Sequence, residues 1–330
     1  MVGGTISSEK IDLLIYGQSK PIIDGGFSDQ FVLHKFENTA DLDRLTPDVA
    51  GKIRGAAITY SNVRGDSATL ARLPKLEIVS NFGVGYDHID IAYAREHNII
   101  VTNTPDVLTE EVADVAMGLL IATLREFIKA DRYLRSGLWT ATQSFPLTVG
   151  SLRDRKVGMV GMGRIGQAIG RRLEASRVPV VYHSRKPADG VSYQHYPNLI
   201  EMAKAVDTLV VIVPGGPATT KMINAEVLKA LGPRGVVINV ARGSVIDESA
   251  LIGALKSGAI LAAGLDVFEK EPNVPDELRA MQNVVLLPHI GSASVVTRNA
   301  MDQLVVDNLK SWFAGKGPLT PVAETPVKKS

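Results

Sequence analysis

Three apolar, strand-like runs in the second half of the chain end in residues equipped for chemistry. Gly235–Val240 leads into Ala241-Arg242-Gly243-Ser244. Ala262–Leu265 leads into Asp266, followed by Val267-Phe268-Glu269-Lys270-Glu271-Pro272. Val284–Leu287 leads into Pro288-His289-Ile290-Gly291. Open α/β sheets bind ligands outside the carboxyl ends of their strands. An arginine, an acid and a histidine can therefore converge there. A guanidinium suits the carboxylate and carbonyl oxygen of a 2-oxo acid. A histidine suits a general acid, and a carboxylate beside it keeps the imidazolium charged so that a proton is at hand near neutral pH. Taken singly, each residue has a plain alternative: an arginine after a strand is usually a surface ion pair, and a histidine before a glycine is usually structural.

A second group of residues is built for phosphate. In Lys156–Lys186 a short apolar run, Val157–Val160, is followed by Gly161, Gly163 and Gly166 in a G-x-G-x-x-G spacing. The first glycine permits a tight turn. The second lets backbone approach a pyrophosphate, and the third lets a helix pack close to the strand. Ile165, Ile169 and Leu173 then recur at helical spacing, and Pro179–Tyr182 reads as the next strand. The start of that helix would offer unsatisfied N–H groups and a partial positive charge to a dinucleotide.

The end of the second strand bears on which dinucleotide. NAD sites carry an acid there, bonded to the ribose 2′-hydroxyl. This chain has His183-Ser184-Arg185-Lys186, and its nearest acids, Glu174 and Asp189, fall on the helix and in the following loop. A hydroxyl and two cations suit a 2′-phosphate, which a carboxylate would repel. The cofactor expected is NADP(H) in preference to NAD(H). The plain alternative is a solvated basic turn.

The elements that must position these residues alternate along 330 residues, enough for about two domains. Strands are expected at Ile11–Tyr16, Phe31–Phe36, Ala56–Tyr60, Leu76–Asn81 and Ile99–Thr102, with helix-like or loop segments between them, such as Asp41–Ile53, Ser67–Arg72 and Asp90–His97. Later strands are expected at Thr208–Val213 and at the three runs described above. The pattern is α/β: two doubly wound parallel sheets. Leu108–Arg135 reads as one long helix with Thr109 as its cap and Val112, Val115, Ala116, Leu119, Leu120 and Leu124 on its apolar face. Gly137–Gly150 reads as loop, and Ala293–Phe313 as the last helix. Asn81-Phe-Gly-Val-Gly-Tyr-Asp87 places two glycines after a strand, where main-chain N–H groups can approach a ligand.

Composition narrows the classes. A net charge of +1 gives no electrostatic case for nucleic acid or an anionic membrane. The absence of cysteine excludes disulfides, thiolate metal sites and a cysteine nucleophile. No metal is expected. The polar start, MVGGTISSEK, has no apolar signal core and reads as frayed. The last residues, VKKS, match neither a prenylation box nor a peroxisomal signal. No apolar run reaches membrane-spanning length, so the cytoplasm is the expected location.

With these residues in view, the chain resembles the D-2-hydroxyacid dehydrogenases, and within them the glyoxylate/hydroxypyruvate reductases, including the hydroxyphenylpyruvate-reductase type. The resemblance covers nearly the whole chain, in order: NFGVGYDHID, TNTPDVLTEEVAD, VGMVGMGRIGQAIGRRL, LGPRGVVINVARGSVIDESAL, GLDVFEKEPNVP and NVVLLPHIGSAS. It implies a Rossmann nucleotide domain at 105–291, inserted into a flavodoxin-like substrate domain at 1–104 and 292–330. It implies a homodimer, and reduction of a small 2-oxo acid to a D-2-hydroxy acid. It places catalysis on Arg242, Glu271 and His289, leaving Glu269 an ordinary exposed acid. It places the substrate carboxylate on the backbone of Val84 and Gly85. Asp266 becomes the partner of the nicotinamide carboxamide. Thr109, Val213, Pro214, Val240 and Ala241 become cofactor-lining positions, joined by Arg164, Ile165 and Gly291.

Trp139 has two readings. It is either tucked into the core of its own domain or, as the resemblance implies, an aromatic that reaches the partner subunit's active-site mouth and narrows the substrate pocket. Departures from relatives also carry information. Formate-oxidising members have Gln beside the active histidine, where this chain has Pro288. A C-terminal regulatory domain like that of phosphoglycerate members is not expected. The competing functions are a reductase of arylpyruvates such as 4-hydroxyphenylpyruvate and a non-catalytic NAD(H)-sensing scaffold on the same fold.

Overall fold

The computed structural model describes residues 10–59 and 63–325. Residues 1–9 of the frayed start expected at 1–10, Tyr60 of the third expected strand, and 326–330 lie outside the described residues. The chain divides into two compact units. One comprises the residues up to Leu108 together with those from Val295 onward, and the other is Thr109–Ser294.

The first unit is a five-stranded parallel sheet: β1 (Ile11–Tyr16), β2 (Phe31–Phe36), β3 (Ile53–Ile58), β4 (Ile78–Asn81) and β5 (Ile100–Thr102), in the order β2-β1-β3-β4-β5. This is the flavodoxin-like order. β4 is buried along its whole length and most of β3 with it, as parallel strands covered on both faces must be. The Val295–Phe313 helix covers β3 and β4, and the Ser80 hydroxyl donates to the Val305 carbonyl at 3.2 Å. The expected Asp41–Ile53 segment resolves differently. It holds two single-turn helices, Thr39–Leu42 and Pro47–Ala50, and Ile53 already belongs to β3. Asn38 and Thr46 cap those turns.

The second unit is a seven-stranded parallel sheet: β6 (Val157–Val160), β7 (Val180–His183), β8 (Gln194–Tyr196), β9 (Thr208–Val211), β10 (Val236–Asn239), β11 (Ala262–Leu265) and β12 (Val284–Leu286). Their order is β12-β11-β10-β9-β6-β7-β8. β6, β9, β10 and β11 are buried at every position. The strand order reverses between β6 and β9, where a doubly wound sheet opens its ligand crevice.

The single long helix expected at Leu108–Arg135 is two. Thr109–Leu124 ends, Glu126 adopts a left-handed backbone with φ 49°, and Phe127–Arg135 restarts. Thr109 is the first helical residue rather than the residue before it. Two contacts explain the break. The Thr123 hydroxyl donates back to the Leu119 carbonyl at 2.7 Å, a bond that bends helices. The returning chain also lies against the last turn: a Cβ on Gly150 would sit 3.0 Å from the Leu124 carbonyl oxygen. Beyond the break, the second helix buries no residue.

Candidate active site

Every candidate cofactor or catalytic residue between Gly161 and Gly291 follows a strand of the seven-stranded sheet, at its carboxyl edge. The glycine turn follows β6. Gly161 has φ +105°, and a Cβ there would lie 2.5 Å from the Ile212 carbonyl oxygen, just past β9. A Cβ on Gly166 would lie 2.6 Å from the Gly161 carbonyl oxygen, whereas one on Gly163 would meet nothing within 4 Å. The first and third glycines thus permit close packing, and the second leaves open space at the N-terminus of the Arg164–Ala175 helix. The first-turn N–H groups there have no helical acceptor. Turn and helix fit a pyrophosphate, at the point where the strand order reverses.

Ser184, Arg185 and Lys186 follow β7. The Ser184 hydroxyl donates to the Lys186 carbonyl at 2.5 Å, so its one proton is spent within the turn. Arg185 and Lys186 are exposed, and neither side chain is paired with an acid among the described residues. Glu174, the nearest acid in sequence on the preceding helix, accepts from the Tyr193 hydroxyl at 3.1 Å. Val213 and Pro214 follow β9, and Val240 and Ala241 follow β10 and are buried.

Arg242, Glu271 and His289 come together through three loops. The Glu271 carboxylate joins them. One of its oxygens lies 2.7 Å from His289 Nδ1, and the other accepts from the Phe268 N–H at 3.1 Å. Burial pushes the Glu271 carboxyl up. The His289 hydrogen bond and charge, the Phe268 N–H and the Arg242 charge outweigh it, and the carboxyl sits below its ordinary value. An ionised carboxylate has no proton to give, so His289 Nδ1 is the donor and Nε2 is the nitrogen left for another molecule. Glu269 is exposed and its N–H donates to Glu248 at 3.2 Å, consistent with an acid outside the pair.

The His289 turn is fastened by Asp266. His289 has a left-handed backbone, φ 55°, a conformation that costs on the order of 1–3 kcal/mol for a non-glycine residue unless its surroundings enforce it. Three consecutive N–H groups enforce it. His289 N–H donates to the Asp266 carbonyl at 2.9 Å, Ile290 N–H to one carboxylate oxygen at 2.7 Å, and Gly291 N–H to the other at 2.8 Å. Burial raises the Asp266 carboxyl despite these bonds. Gly291 follows from the same contact, since its Cβ would crowd an Asp266 oxygen at 3.1 Å. Val112, one turn into the helix that starts at Thr109, is next to it, at 3.7 Å.

Two residues to which the sequence reading gave no role complete this group. Asn239, buried at the end of β10, accepts from Ala241 N–H and donates to the Arg242 carbonyl, both at 3.0 Å. Gly243 lets the Arg242 turn touch the next loop: a Cβ there would lie 1.9 Å from the Phe268 carbonyl carbon and oxygen and 2.4 Å from Glu269 N. An asparagine and a glycine after a strand are too common to stand out; only the neighbouring loop reveals them.

Val84 and Gly85 belong to the first unit, at the carboxyl end of β4. The carbonyls of their loop are drawn inward. Asn81 donates to the Gly83 and Gly85 carbonyls at 3.2 and 3.0 Å, Asn103 donates to the Val84 carbonyl at 2.9 Å, and Thr104 N–H donates to the Gly83 carbonyl at 3.0 Å. The Gly83 N–H donates to the Thr104 hydroxyl at 3.0 Å. The N–H groups of Val84 and Gly85 have no acceptor among the described residues. An amide pair of this kind suits an anion. Trp139, in the second unit, is 66% exposed, which rules out the reading that tucks it into its own unit's core. Among the described residues, no group of three or more His, Asp or Glu could hold a metal, and no helix is long and apolar enough to cross a membrane.

Known proteins share this arrangement. The family described as "D-isomer specific 2-hydroxyacid dehydrogenase, NAD binding domain" matches residues 117–291. The glyoxylate/hydroxypyruvate reductase A of Arabidopsis thaliana is 44% identical over 95% of this chain and 99% of its own length. The hydroxyphenylpyruvate reductase of Plectranthus scutellarioides is 48% identical over 81% of this chain and 85% of its own. The crystal structure of an NADPH-dependent glyoxylate/hydroxypyruvate reductase from Sinorhizobium meliloti, in complex with NADP and malonate, superposes with a TM-score of 0.92. It is 51% identical and covers 97% of this chain and 99% of its own. A dinucleotide turn, a carboxylate-backed histidine and an arginine on one sheet edge, with 44–51% identity to such reductases over most of the chain, settle the kinship: this chain belongs to the D-isomer specific 2-hydroxyacid dehydrogenase family.

Proposed function

We propose that the protein reduces small 2-oxo acids, glyoxylate and hydroxypyruvate first among them, to D-2-hydroxy acids, and that it prefers NADPH to NADH. The observation that carries the reaction is the Glu271–His289 contact at 2.7 Å, held by Asp266 on the same sheet edge as Arg242 and the glycine turn. A bound reduced nicotinamide supplies the hydride.

The chain's own groups do the rest. Arg242 grips the carboxylate and carbonyl oxygen of the acid, and the Val84 and Gly85 amides are assigned to carboxylate binding. Arg242 also polarises the carbonyl, drawing charge toward oxygen. As C2 gains hydride, that oxygen takes the proton from His289 Nε2. Glu271 keeps the imidazolium charged until then and fixes the ring through Nδ1. Asp266 orients the histidine turn, and the remaining lone pairs of its carboxylate are assigned to the nicotinamide carboxamide. Thr109, Arg164, Ile165, Val213, Pro214, Val240, Ala241 and Gly291 are assigned to the walls of the cofactor site.

The unspent cations Arg185 and Lys186 support NADPH, as a 2′-phosphate would pair with both. Exposed Phe127, Ile128, Leu134, Leu138, Trp139, Leu147 and Val149, all within one stretch, support a homodimer. The cysteine-free composition accords with a cytoplasmic enzyme. A second substrate reading rests on the hydroxyphenylpyruvate-reductase relative: arylpyruvates would compete for the same site.

Steady-state rates for a panel of 2-oxo acids with each reduced cofactor test both readings. Highest kcat/KM for glyoxylate or hydroxypyruvate with NADPH is the expected result. Highest kcat/KM for 4-hydroxyphenylpyruvate would overturn the substrate assignment, and parity of the cofactors would overturn the cofactor preference.

A further inference from the structure

The turn after β7 is fastened from outside as well as within. Ser184 ties itself to the Lys186 carbonyl at 2.5 Å. The Ala188 N–H, at the far end of the turn, donates to the hydroxyl of Tyr182, which is 1% exposed. The third fastening comes from β8, the three-residue edge strand. Its register sets His195 opposite Tyr182, with the two rings 5.1 Å apart, and His195 Nε2 lies 2.9 Å from the Ser184 carbonyl oxygen. A carbonyl only accepts, so Nε2 carries the proton.

We propose that His195 is a positioning residue that sets the preference for the phosphorylated cofactor. It acts through the Ser184 carbonyl, by holding the Ser184–Lys186 turn in the shape that presents Arg185 and Lys186. The inference rests on the NADPH reading above and deepens it. A turn ordered before binding does not lose that freedom when a ligand arrives. Both capped carbonyls, of Ser184 and Lys186, also have their negative ends occupied by donors rather than open to a phosphate. Only a ligand that uses the turn gains from this order. The adenosine 2′-phosphate uses it, whereas an unphosphorylated ribose offers no charge to the two cations. His195 therefore acts on the ratio of the two affinities more than on either reaction rate.

The test is equilibrium binding to the full-length protein without a 2-oxo acid. Dissociation constants for NADPH and NADH are read from nicotinamide fluorescence, and those for 2′,5′-ADP and 5′-AMP from calorimetry. His195→Phe keeps a ring against Tyr182 and removes the N–H. It should weaken NADPH and 2′,5′-ADP by about threefold to tenfold, the range for one hydrogen bond, and leave NADH and 5′-AMP within about twofold. His195→Gln, which restores a donor, should recover part of the loss. Tyr182→Phe removes one oxygen and the Ala188 anchor, and should shift the ratio the same way; it decides the matter if His195→Phe does not fold. Equal losses for phosphorylated and unphosphorylated ligands, or no loss in His195→Phe and Tyr182→Phe, would overturn the inference. A wild-type protein that binds NADH as tightly as NADPH would overturn the cofactor reading instead.

Discussion

Gly243→Ala adds one methyl group to a place already filled by backbone. The new Cβ would lie 1.9 Å from the Phe268 carbonyl carbon and oxygen, and ordinary contact begins near 3.4 Å. The two loops must separate by the difference, about 1.5 Å, because neither side of the clash is a flexible side chain. The Phe268 N–H that holds Glu271 at 3.1 Å would move with its loop. Displaced by that amount, it no longer bonds Glu271, and the carboxylate that orients His289 loses its anchor. Misplacement of about 1 Å near reacting atoms costs on the order of 10²-fold in rate. The expected outcome is a fall in kcat/KM for the preferred 2-oxo acid of about 10²-fold or more, carried mainly by kcat. Overpacking should lower stability by roughly 1–3 kcal/mol, read from denaturant unfolding. NADPH affinity, read by fluorescence, should change far less, because the Gly161–Gly166 turn and Arg185 lie on other strands. A variant with kcat within threefold of wild type would refute the idea that the contact of these two loops sets the catalytic geometry.

Arg185→Ala should lose roughly 1.5–3 kcal/mol of kcat/KM with NADPH, the range for a charge-assisted bond, and little with NADH; equal losses would remove Arg185 from the 2′-phosphate site. Glu271→Gln bears on both stability and rate. The folded Glu271 carboxyl sits below its ordinary value of 4.5, so it stabilises the fold above that pH and the contribution is lost as pH falls through the lowered value; the variant's melting temperature should therefore vary less with pH on the acid side. Its kcat should also fall, since the imidazole loses the carboxylate that orients it through Nδ1, and an unchanged kcat would point to another proton donor. Asn81→Asp replaces the donor facing the Gly83 and Gly85 carbonyls with an acceptor. KM for the 2-oxo acid should rise about tenfold or more while NADPH affinity holds, and an unchanged KM would dissociate the Val84–Gly85 amides from carboxylate binding.

What the sequence made legible is what depends on short spacing. β1 and β2 fall where the apolar runs place them, because a buried strand writes itself into consecutive residues. The glycine turn and the residues after β10, β11 and β12 are legible for the same reason. The missed features depend on contacts between distant segments. Glu126 breaks a helix whose local pattern continues, since Gly150 packs on Leu124 from outside it. β8 is three partly exposed residues, Gln194-His195-Tyr196, with no apolar run to mark it. Gly83 and Thr104 are 21 residues apart, and Asp266 and Gly291 are 25 apart. Spacing of that length carries no periodic signal. Side-chain roles shift accordingly. Ser184, read as a phosphate ligand, spends its proton on Lys186, and Asp266 holds the histidine turn with one hydrogen bond to each carboxylate oxygen, a role its position after β11 does not announce.

One device recurs at these strand ends, and its polarity tracks the chemistry. At the end of β4, Asn81 turns its two amide hydrogens on the carbonyls of Gly83 and Gly85. With carbonyls drawn in, N–H groups are what the loop has left to offer, and an anion is what they suit. Beyond β11, Asp266 does the reverse, gathering the N–H groups of His289, Ile290 and Gly291. Burial raises this carboxyl overall, against the opposing pull of the Ile290 and Gly291 N–H groups and, after them, of the His289 charge. Asn239, at the end of β10, uses both ends of its amide, accepting from the Ala241 N–H and donating to the Arg242 carbonyl, and so fixes a turn whose business is carried by the guanidinium. An amide donor where the loop must bind an anion, a carboxylate where it must hold a proton, and a two-ended amide where the side chain acts alone: exchanging Asn81 for Asp, or Asp266 for Asn, alters the volume hardly at all and reverses what the turn presents.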